Sequence, residues 1–358
     1  MIAPGSVIGI LGGGQLGRML ALAAHDLGYR PHIYAPEEDS PALDVTPLRT
    51  VAAYDDEAAL DRFARTVDVV TFEFENVPEA SAVFLAERKP VRPSPAVLAI
   101  AQDRTREKEF IRGAGLDCAP YAIVRDAHDA AQAAASLGTP ILLKSVRMGY
   151  DGKGQKRIER AAEAVSAWHA IGANAIAEAW IDFSCEISVI VARSPSGAIK
   201  AYEPVENQHR DQILHRTIVP ARIDAEIARR AVGMAETLAE ALALEGLLAV
   251  EMFVTQDRRV LVNEIAPRPH NSGHWTMDAC TTSQFAQTVR AICDLPLGEI
   301  TRLCPCEMTN LLGEDINQWP ALLREGHNKL HLYRKAVARA GRKMGHVTRL
   351  FPILPGRS

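Results

Sequence analysis

Residues 248–264 read LAVEMFVTQDRRVLVNE, which predicts two apolar strands joined by a polar turn at 256–259. Glu251 lies inside the first strand and Glu264 ends the second. If the strands form a hairpin, both carboxylates and the Asn263 amide converge at one end of it. Buried like charges are costly unless a cation neutralises them, and hard oxygen ligands favour Mg²⁺. The stretch therefore predicts a magnesium site, with two ions expected, and buried salt bridges are the alternative.

The residues that follow the second strand, APRPHNSGH at 266–274, form a polar loop that prolines make rigid. Because this loop leaves the strand that carries Glu264, its side chains are predicted to reach a phosphate bound beside the metal. Arg268 can stabilise charge on an oxyanion, and His270 and Asn271 can hydrogen-bond a small planar acid. A loop that only caps the sheet remains an alternative.

A second group of residues, in the middle of the chain, indicates nucleotide binding. Lys144 lies near the end of the apolar strand 141–145, and the glycine loop Gly149–Gly154 follows it. A strand lysine under a glycine loop is a common way of holding ATP phosphates, and the spacing is not that of a Walker loop. Glu178 and Glu186 bracket a short segment and suit recognition of adenine and ribose. An ordinary hairpin turn and solvated surface glutamates are the respective alternatives.

The first strand, VIGIL at 7–11, runs directly into GGGQLG at 12–17. The spacing Gly12-x-Gly14-x-x-Gly17 matches the dinucleotide fingerprint, and Glu37 lies where a ribose-binding acid would stand. The physical content of the motif is broader, because glycines and a helix N-terminus bind any phosphate. NAD, another phosphate ligand and simple close packing all remain open at this point.

The order of the predicted elements defines the fold class. Short strands alternate with helices through the first hundred residues, which predicts a Rossmann-like α/β domain. The prolines of RPSP at 92–95 end this pattern, and a small α/β unit follows. Longer strands packed with the helix predicted at 224–243 indicate an antiparallel α+β part. The resulting domains are residues 1–100, 101–182 and 183–358.

The composition excludes several classes of protein. A hydrophobic fraction of 47% and a charged fraction of 23% are those of a globular protein. The net charge of −4 argues against general nucleic-acid binding, although a local basic pocket for a phosphate is compatible with it. No apolar run reaches the roughly eighteen residues of a membrane helix, and the N-terminus lacks the pattern of a signal peptide. The six cysteines have no disulfide rhythm, which predicts reduced thiols in a cytoplasmic protein.

Several motifs together resemble the ATP-grasp superfamily and, within it, the 5-(carboxyamino)imidazole ribonucleotide synthase family of purine biosynthesis. They occur in the family's order and cover nearly the whole chain: GGGQLGRML at 12–20, TFEFENV at 71–77, GYDGKGQ at 149–155, NEIAPRPHNSGHW at 263–275 and GRKMGH at 341–346. The resemblance implies an ATP-grasp fold with an N-terminal Rossmann-like, pre-ATP-grasp domain that binds substrate. A lid domain and a large metal-binding domain would follow it.

The resemblance also implies ATP-dependent carboxylation of 5-aminoimidazole ribonucleotide with bicarbonate, via carboxyphosphate. Asp151 would be the base, and Arg268, His270 and Asn271 would position bicarbonate with Glu73 close by. The implied ATP-binding residues are Arg104, Lys144, Gly149, Gly152, Gly154, Glu178 and Glu186, and the Mg²⁺ ligands are Glu251 and Glu264. The implied substrate-binding residues are Gly14, Gln15, Leu16, Glu73, Tyr150, Lys153, Lys335 and Arg342. A homodimer is expected.

Three other functions remain as alternatives. One is an ATP-grasp enzyme of purine synthesis that activates formate, because it would share the metal glutamates. Another is an NAD-dependent oxidoreductase, which leaves Glu251, Glu264 and the 266–274 loop unexplained. The last is a catalytically inactive module that binds purine intermediates, although chemically competent residues occupy every candidate position.

Overall fold

The computed structural model describes residues 1–147, 149, 154–172 and 174–351. Its strands form three sheets, and each sheet is built from a different stretch of the chain. Nowhere in these ranges is a helix both long enough and apolar enough to cross a membrane.

The first sheet is parallel, with the strand order β3-β2-β1-β4. Its central strand is apolar along its whole length, as expected for a strand that helices cover on both faces. This arrangement confirms the predicted Rossmann-like α/β organisation. The elements are β1 (Val7–Leu11), α1 (Gln15–Asp26), β2 (Arg30–Ala35), β3 (Arg49–Val51), α2 (Glu57–Ala64), β4 (Val69–Phe72), α3 (Glu79–Ala86) and α4 (Pro95–Ala101).

A charged helix, α5 (Arg104–Gly113), connects the first sheet to a small antiparallel sheet. Asp103 caps this helix, because its side chain accepts the backbone N–H groups of Thr105 and Arg106. The small sheet has the order β5-β8-β6-β7. Its elements are β5 (Tyr121–Val124), α6 (Ala127–Leu137), β6 (Ile141–Ser145), β7 (Gln155–Ile158), α7 (Ala164–Ile171) and β8 (Ala175–Ala179).

The third sheet is large and antiparallel, in the order β14-β13-β9-β11-β12-β15-β17-β16, with β10 paired to β9. Its strands are β9 (Phe183–Arg193), β10 (Ile199–Ala201), β11 (Val205–Arg210), β12 (Ile213–Val219), β13 (Gly246–Thr255), β14 (Val260–Ala266), β15 (Cys306–Leu312), β16 (Asn328–Leu332) and β17 (Lys343–Leu350). Its helices are α8 (Ala225–Ala241), α9 (Thr276–Ala279), α10 (Gln284–Ile292) and α11 (Trp319–Leu322).

The alternation of side chains along β9 builds two separate cores on the large sheet. Ile187, Val189 and Val191 point to one face and pack with helix α8. Ile190 and Ala192 point to the other face, into a cluster with Trp275 and with Ala291 of α10. This period of two fixes the register of the strand, because a shift by one residue would exchange the two faces. The loop that begins at Arg268 is held against the second core.

Two glycines in different environments give a test of this packing. A Cβ at Gly9, on β1, would lie 2.6 Å from the Phe63 ring. A Cβ at Gly233, an exposed position of α8, would meet nothing within 4 Å. Gly9→Ala is expected to destabilise the protein by about 1–3 kcal/mol through overpacking. Gly233→Ala is expected to stabilise it by roughly 0.5–1 kcal/mol, because alanine favours helix interiors. Thermal unfolding followed by circular dichroism measures both, and a Gly9→Ala midpoint at or above that of the wild type would contradict the packing.

Candidate active site

A cavity of about 1340 Å³ lies between the three sheets, and it is lined by strand residues of the two antiparallel sheets and by residues that follow β1 and β4 of the first sheet. The structure therefore brings together residues that lie far apart in the sequence. The predicted site residues that line the cavity are Gln15, Leu16, Glu73, Arg104, Lys144, Gly149, Glu186, Glu251, Glu264, Arg268, His270, Asn271, Lys335 and Arg342. Gly14, Gly154 and Glu178 are described but do not line it. Tyr150, Asp151, Gly152 and Lys153 lie outside the described residues.

The two strand glutamates lie side by side on the β13–β14 hairpin, where Glu251 and Glu264 are direct partners. The Oδ1 atom of Asn263 is buried beside them and has no hydrogen-bond partner within the described ranges. A buried acceptor without a donor is costly, and a cation would satisfy it. Two carboxylates and one amide oxygen are a donor set that fits Mg²⁺. The predicted hairpin is confirmed, and its residues fit the predicted ion.

Both glutamates already have a positively polarised neighbour. Nη1 of Arg104 donates to Glu264 at 3.0 Å. Nε2 of His270 lies 3.1 Å from Oε1 of Glu251. Burial raises the pKa of Glu251, but the nearby His270 outweighs this effect and lowers that pKa to about 2. Glu251 is therefore ionised at neutral pH and suited to bind a cation.

Lys144 and Glu178 belong to a buried ion cluster next to the cavity. Nζ of Lys144 donates to Oε2 of Glu178 at 2.7 Å, and Nζ of Lys108 lies 3.4 Å from Oε1. Burial raises the pKa of Glu178, but the two lysines lower it to about 2. Glu178 thus holds the two lysines in position, and its contact with adenosine remains a prediction. Lys144 lines the cavity, and its contact with phosphates remains a prediction.

The 268–275 loop meets the first part of the chain through an ion pair between Arg268 and Glu75. Burial raises the pKa of Glu75, but Arg268 lowers it to about 2. Asn271 is buried, and its amide exchanges hydrogen bonds with the Asn310 amide at 2.9 and 2.5 Å. Arg268 and His270 therefore present polar atoms at the cavity, whereas Asn271 mainly fixes the loop.

The glycine loop after β1 binds an anion that the chain itself supplies. The backbone N–H groups of Gly14 and Gly17 donate to the two carboxylate oxygens of Glu73, at 2.6 and 2.8 Å. A Cβ at Gly14 would lie 2.5 Å from this carboxylate, so glycine is required there. Glu73 occupies these N–H groups in this structure, and the assignment of Gly14, Gln15 and Leu16 to the substrate site stays a prediction. This geometry also disfavours the NAD alternative, which needs the same groups for a pyrophosphate.

Three family profiles cover most of the chain. Residues 6–102 match the ribonucleotide synthetase preATP-grasp domain, residues 109–285 the ATP-grasp domain, and residues 306–352 the phosphoribosylaminoimidazole carboxylase C-terminal domain. An N5-carboxyaminoimidazole ribonucleotide synthase of Brucella melitensis is 49% identical over 98% of each chain. One from Bacillus subtilis is 44% identical, over 97% of this chain and 92% of its own. The chain belongs to the N5-carboxyaminoimidazole ribonucleotide synthase family.

Solved structures of N5-carboxyaminoimidazole ribonucleotide synthases share this architecture. An ADP complex of one synthetase, 46% identical, superposes with a TM-score of 0.95 over 99% of this chain and 94% of the other. The Aspergillus clavatus synthase in complex with ADP and 5-aminoimidazole ribonucleotide is 31% identical, with a TM-score of 0.91 over 97% and 94%. The predicted ATP-grasp fold with its N-terminal pre-ATP-grasp domain is thereby confirmed, and the enzyme is a carbon–nitrogen ligase.

Three residues of the site were not singled out in the sequence. Glu75 pairs with Arg268, and its only sequence signal is its closeness to Glu73 within the motif at 71–77. Lys108 pairs with Glu178 but looks like a surface residue of a charged helix. His209 lies 2.7 Å from Glu186 at the cavity wall, and nothing in its surrounding sequence indicates this. The role of each of the three residues depends on a contact with a residue that is distant from it in the sequence.

The ion cluster around Glu178 predicts a large stability effect. Glu178→Gln leaves two buried lysines without their carboxylate, which is expected to destabilise the protein by about 3–5 kcal/mol. Glu163→Gln is the matched control, because Glu163 also pairs with a basic residue but at the surface. Its unfolding is expected to stay close to that of the wild type. Urea unfolding at pH 7 measures both, and equal effects of the two substitutions would contradict the structural role of Glu178.

Proposed function

We propose that this enzyme uses ATP and bicarbonate to carboxylate the exocyclic amine of 5-aminoimidazole ribonucleotide. The products are 5-carboxyamino-1-(5-phospho-D-ribosyl)imidazole, ADP and phosphate, in purine biosynthesis. The observation that carries the proposal is the position of Arg268 and His270 in one cavity with Glu251 and Glu264. That cavity also contains Lys144 and residues of the first and C-terminal parts of the chain, so it has room and charge for a nucleotide and a phosphorylated substrate.

In the first step, an oxygen of bicarbonate attacks the γ-phosphorus of ATP. The bond between that phosphorus and the β–γ bridging oxygen breaks, which releases ADP and leaves carboxyphosphate. Lys144 and Arg104 hold the nucleotide phosphates, while Arg268 and His270 orient bicarbonate and stabilise the developing negative charge. Glu251, Glu264 and Asn263 would hold Mg²⁺, which supplies charge neutralisation on the phosphates.

In the second step, the amine nitrogen of the ribonucleotide bonds to the carboxyl carbon. The bond between that carbon and the phosphate oxygen breaks, either at this moment or earlier with release of CO2. Phosphate leaves with the oxygen that bicarbonate supplied. We assign Asp151 as the base that takes the proton from the attacking amine, and Tyr150, Lys153, Lys335 and Arg342 to the substrate phosphate. Lys335 and Arg342 line the described cavity.

The proposal includes further features of the enzyme. We propose two Mg²⁺ ions, a homodimer, a cytoplasmic location and domains at residues 1–100, 101–182 and 183–358. The net charge of −4 fits an enzyme of small molecules without a nucleic-acid partner. The cysteines are free thiols, which suits a reducing compartment. The preATP-grasp match at 6–102 lies close to the first proposed domain.

The reaction itself is tested by measuring ADP release with Mg²⁺-ATP. Bicarbonate together with 5-aminoimidazole ribonucleotide is expected to stimulate release strongly, whereas formate in place of bicarbonate is not. The reason is that the proposed donors, Arg268 and His270, bind oxygen atoms of the acid, and formate has a hydrogen where bicarbonate has its third oxygen. Carbon-14 from bicarbonate in the ribonucleotide product would confirm the transfer. Stimulation by formate alone would contradict the proposal and favour the formate-activating alternative.

Arg268 provides a test of how the acid is held. Arg268→Lys is expected to lower kcat by about 10²–10³-fold, because lysine cannot reproduce two planar donors at an oxyanion. ATP affinity is expected to change little. Arg216→Lys is the matched control, since Arg216 also pairs with a glutamate, Glu307, but does not line the cavity. Steady-state kinetics of both variants decides the point, and equal kcat values for the two would remove Arg268 from the acid site.

A further inference from the structure

A row of buried polar side chains lies beneath the 268–275 loop, on the large sheet. Thr217, Asn207, Ser188 and Ser272 are all at most 5% exposed. The Thr217 hydroxyl donates to Oδ1 of Asn207 at 3.1 Å, and Nδ2 of Asn207 donates to the Ser188 hydroxyl at 2.9 Å. Ser188 in turn bonds to the Ser272 hydroxyl at 2.7 Å. The row ends at Nδ1 of His270, 2.9 Å from Ser272 Oγ.

The hydrogen bonds in this row run in one direction. The Asn207 amide has one end that accepts and one that donates, so it orients the hydroxyls on both sides. The Ser188 oxygen accepts from Nδ2 of Asn207, and the Ser188 hydroxyl donates to Ser272. The Ser272 hydroxyl then donates to Nδ1 of His270. The last group of the row, the Ser272 hydroxyl, is therefore a hydrogen-bond donor to Nδ1 of His270, and Nδ1 is the acceptor.

A second and longer contact supports the same assignment of this ring nitrogen. The backbone N–H of Ser272 points at Nδ1 of His270 at 3.3 Å. A backbone N–H can only donate, so Nδ1 carries a lone pair in this arrangement. The hydrogen of the neutral ring then sits on Nε2, which lies 3.1 Å from Oε1 of Glu251 and faces the cavity.

We propose that Asn207 and Ser188 are positioning residues that hold His270 as its Nε2–H tautomer, whose single hydrogen is donated to Glu251 or, once it is bound, to the acid. This role rests on the proposed function. Asn207 and Ser188 do not themselves line the cavity, so they act only through Ser272 and His270. With hydrogen on Nε2, His270 donates to an anionic oxygen of bicarbonate or carboxyphosphate. It cannot accept a proton at that nitrogen, which separates its role from that of the base.

The tautomer is tested directly by nitrogen-15 NMR of the wild-type enzyme at neutral pH, with its eleven histidines labelled. The His270 resonances are assigned by their loss in His270→Asn. The expected result is a pyridine-like Nδ1 and a pyrrole-like Nε2. The reverse pattern, or two pyrrole-like nitrogens, would overturn the proposal. This measurement needs no substrate, so it decides the tautomer even if the ribonucleotide does not stimulate ADP release.

Asn207→Asp tests the role of the row, because a carboxylate only accepts and so reverses its direction. Ser188 would then donate to Asp, Ser272 to Ser188, and Nδ1–H of His270 to Ser272, and the long contact of 3.3 Å from the Ser272 backbone N–H to Nδ1 would be lost. The expected result is a pyrrole-like Nδ1, with kcat lowered about 10–100-fold and the KM for ATP unchanged. Thr217→Val is the control, because it shortens the row without reversing it, and its Nδ1 resonance and kcat are expected to stay near those of the wild type.

Two outcomes with these variants would overturn the positioning role. One is a lowered kcat in Asn207→Asp with unchanged His270 resonances, because the effect would then be merely structural. The other is an equal fall of kcat in Thr217→Val. If Asn207→Asp does not fold, the wild-type spectrum still decides whether the tautomer is the one proposed.

Discussion

The burial of Lys108 is the constraint on which the rest of this enzyme depends. Its side chain is fully buried, and a buried ammonium is stable only with close partners. Nζ of Lys108 donates to the Asn263 carbonyl on β14 at 2.6 Å and lies 3.4 Å from Glu178 on β8. One atom thus joins the small sheet to the large one. Since Glu178 also holds Lys144, the contacts of Lys108 fix the distance between the lysine proposed to bind phosphates and the strand proposed to bind Mg²⁺.

The same logic of paired charges explains how an acidic protein offers a site for several anions. Around the cavity, Arg104 pairs with Glu264, and Arg268 pairs with Glu75. Each carboxylate is partly buried and holds its cation in one orientation before any ligand arrives. Preorganised donors of this kind act strongly in a site from which water is excluded. The positive charge is therefore confined to the cavity wall, and a net charge of −4 over the whole protein does not prevent anions from binding there.

The sequence predicts those features that depend on neighbouring residues. The strands at 7–11 and 141–145 agree with β1 and β6, and the glutamate pair is aligned on its hairpin as the pattern indicates. Prediction fails where a contact joins distant segments. The glycine motif after β1 indicates an anion, and in this structure its N–H groups bind Glu73, 59 residues away from Gly14 along the chain. Nothing in the sequence near the glycine motif distinguishes this carboxylate from a ligand phosphate. The sequence likewise gives no pattern that indicates the buried row through Asn207.

The central claim is that bicarbonate attacks the γ-phosphorus of ATP in the cavity that Arg268 and Glu264 share. The most direct test is a single turnover with oxygen-18 bicarbonate and 5-aminoimidazole ribonucleotide, followed by mass spectrometry of the released phosphate. The account predicts one bicarbonate oxygen in each phosphate, because the bond to carbon breaks and the bond to phosphorus remains. Phosphate without the label would show that water attacks ATP instead, and it would contradict the account.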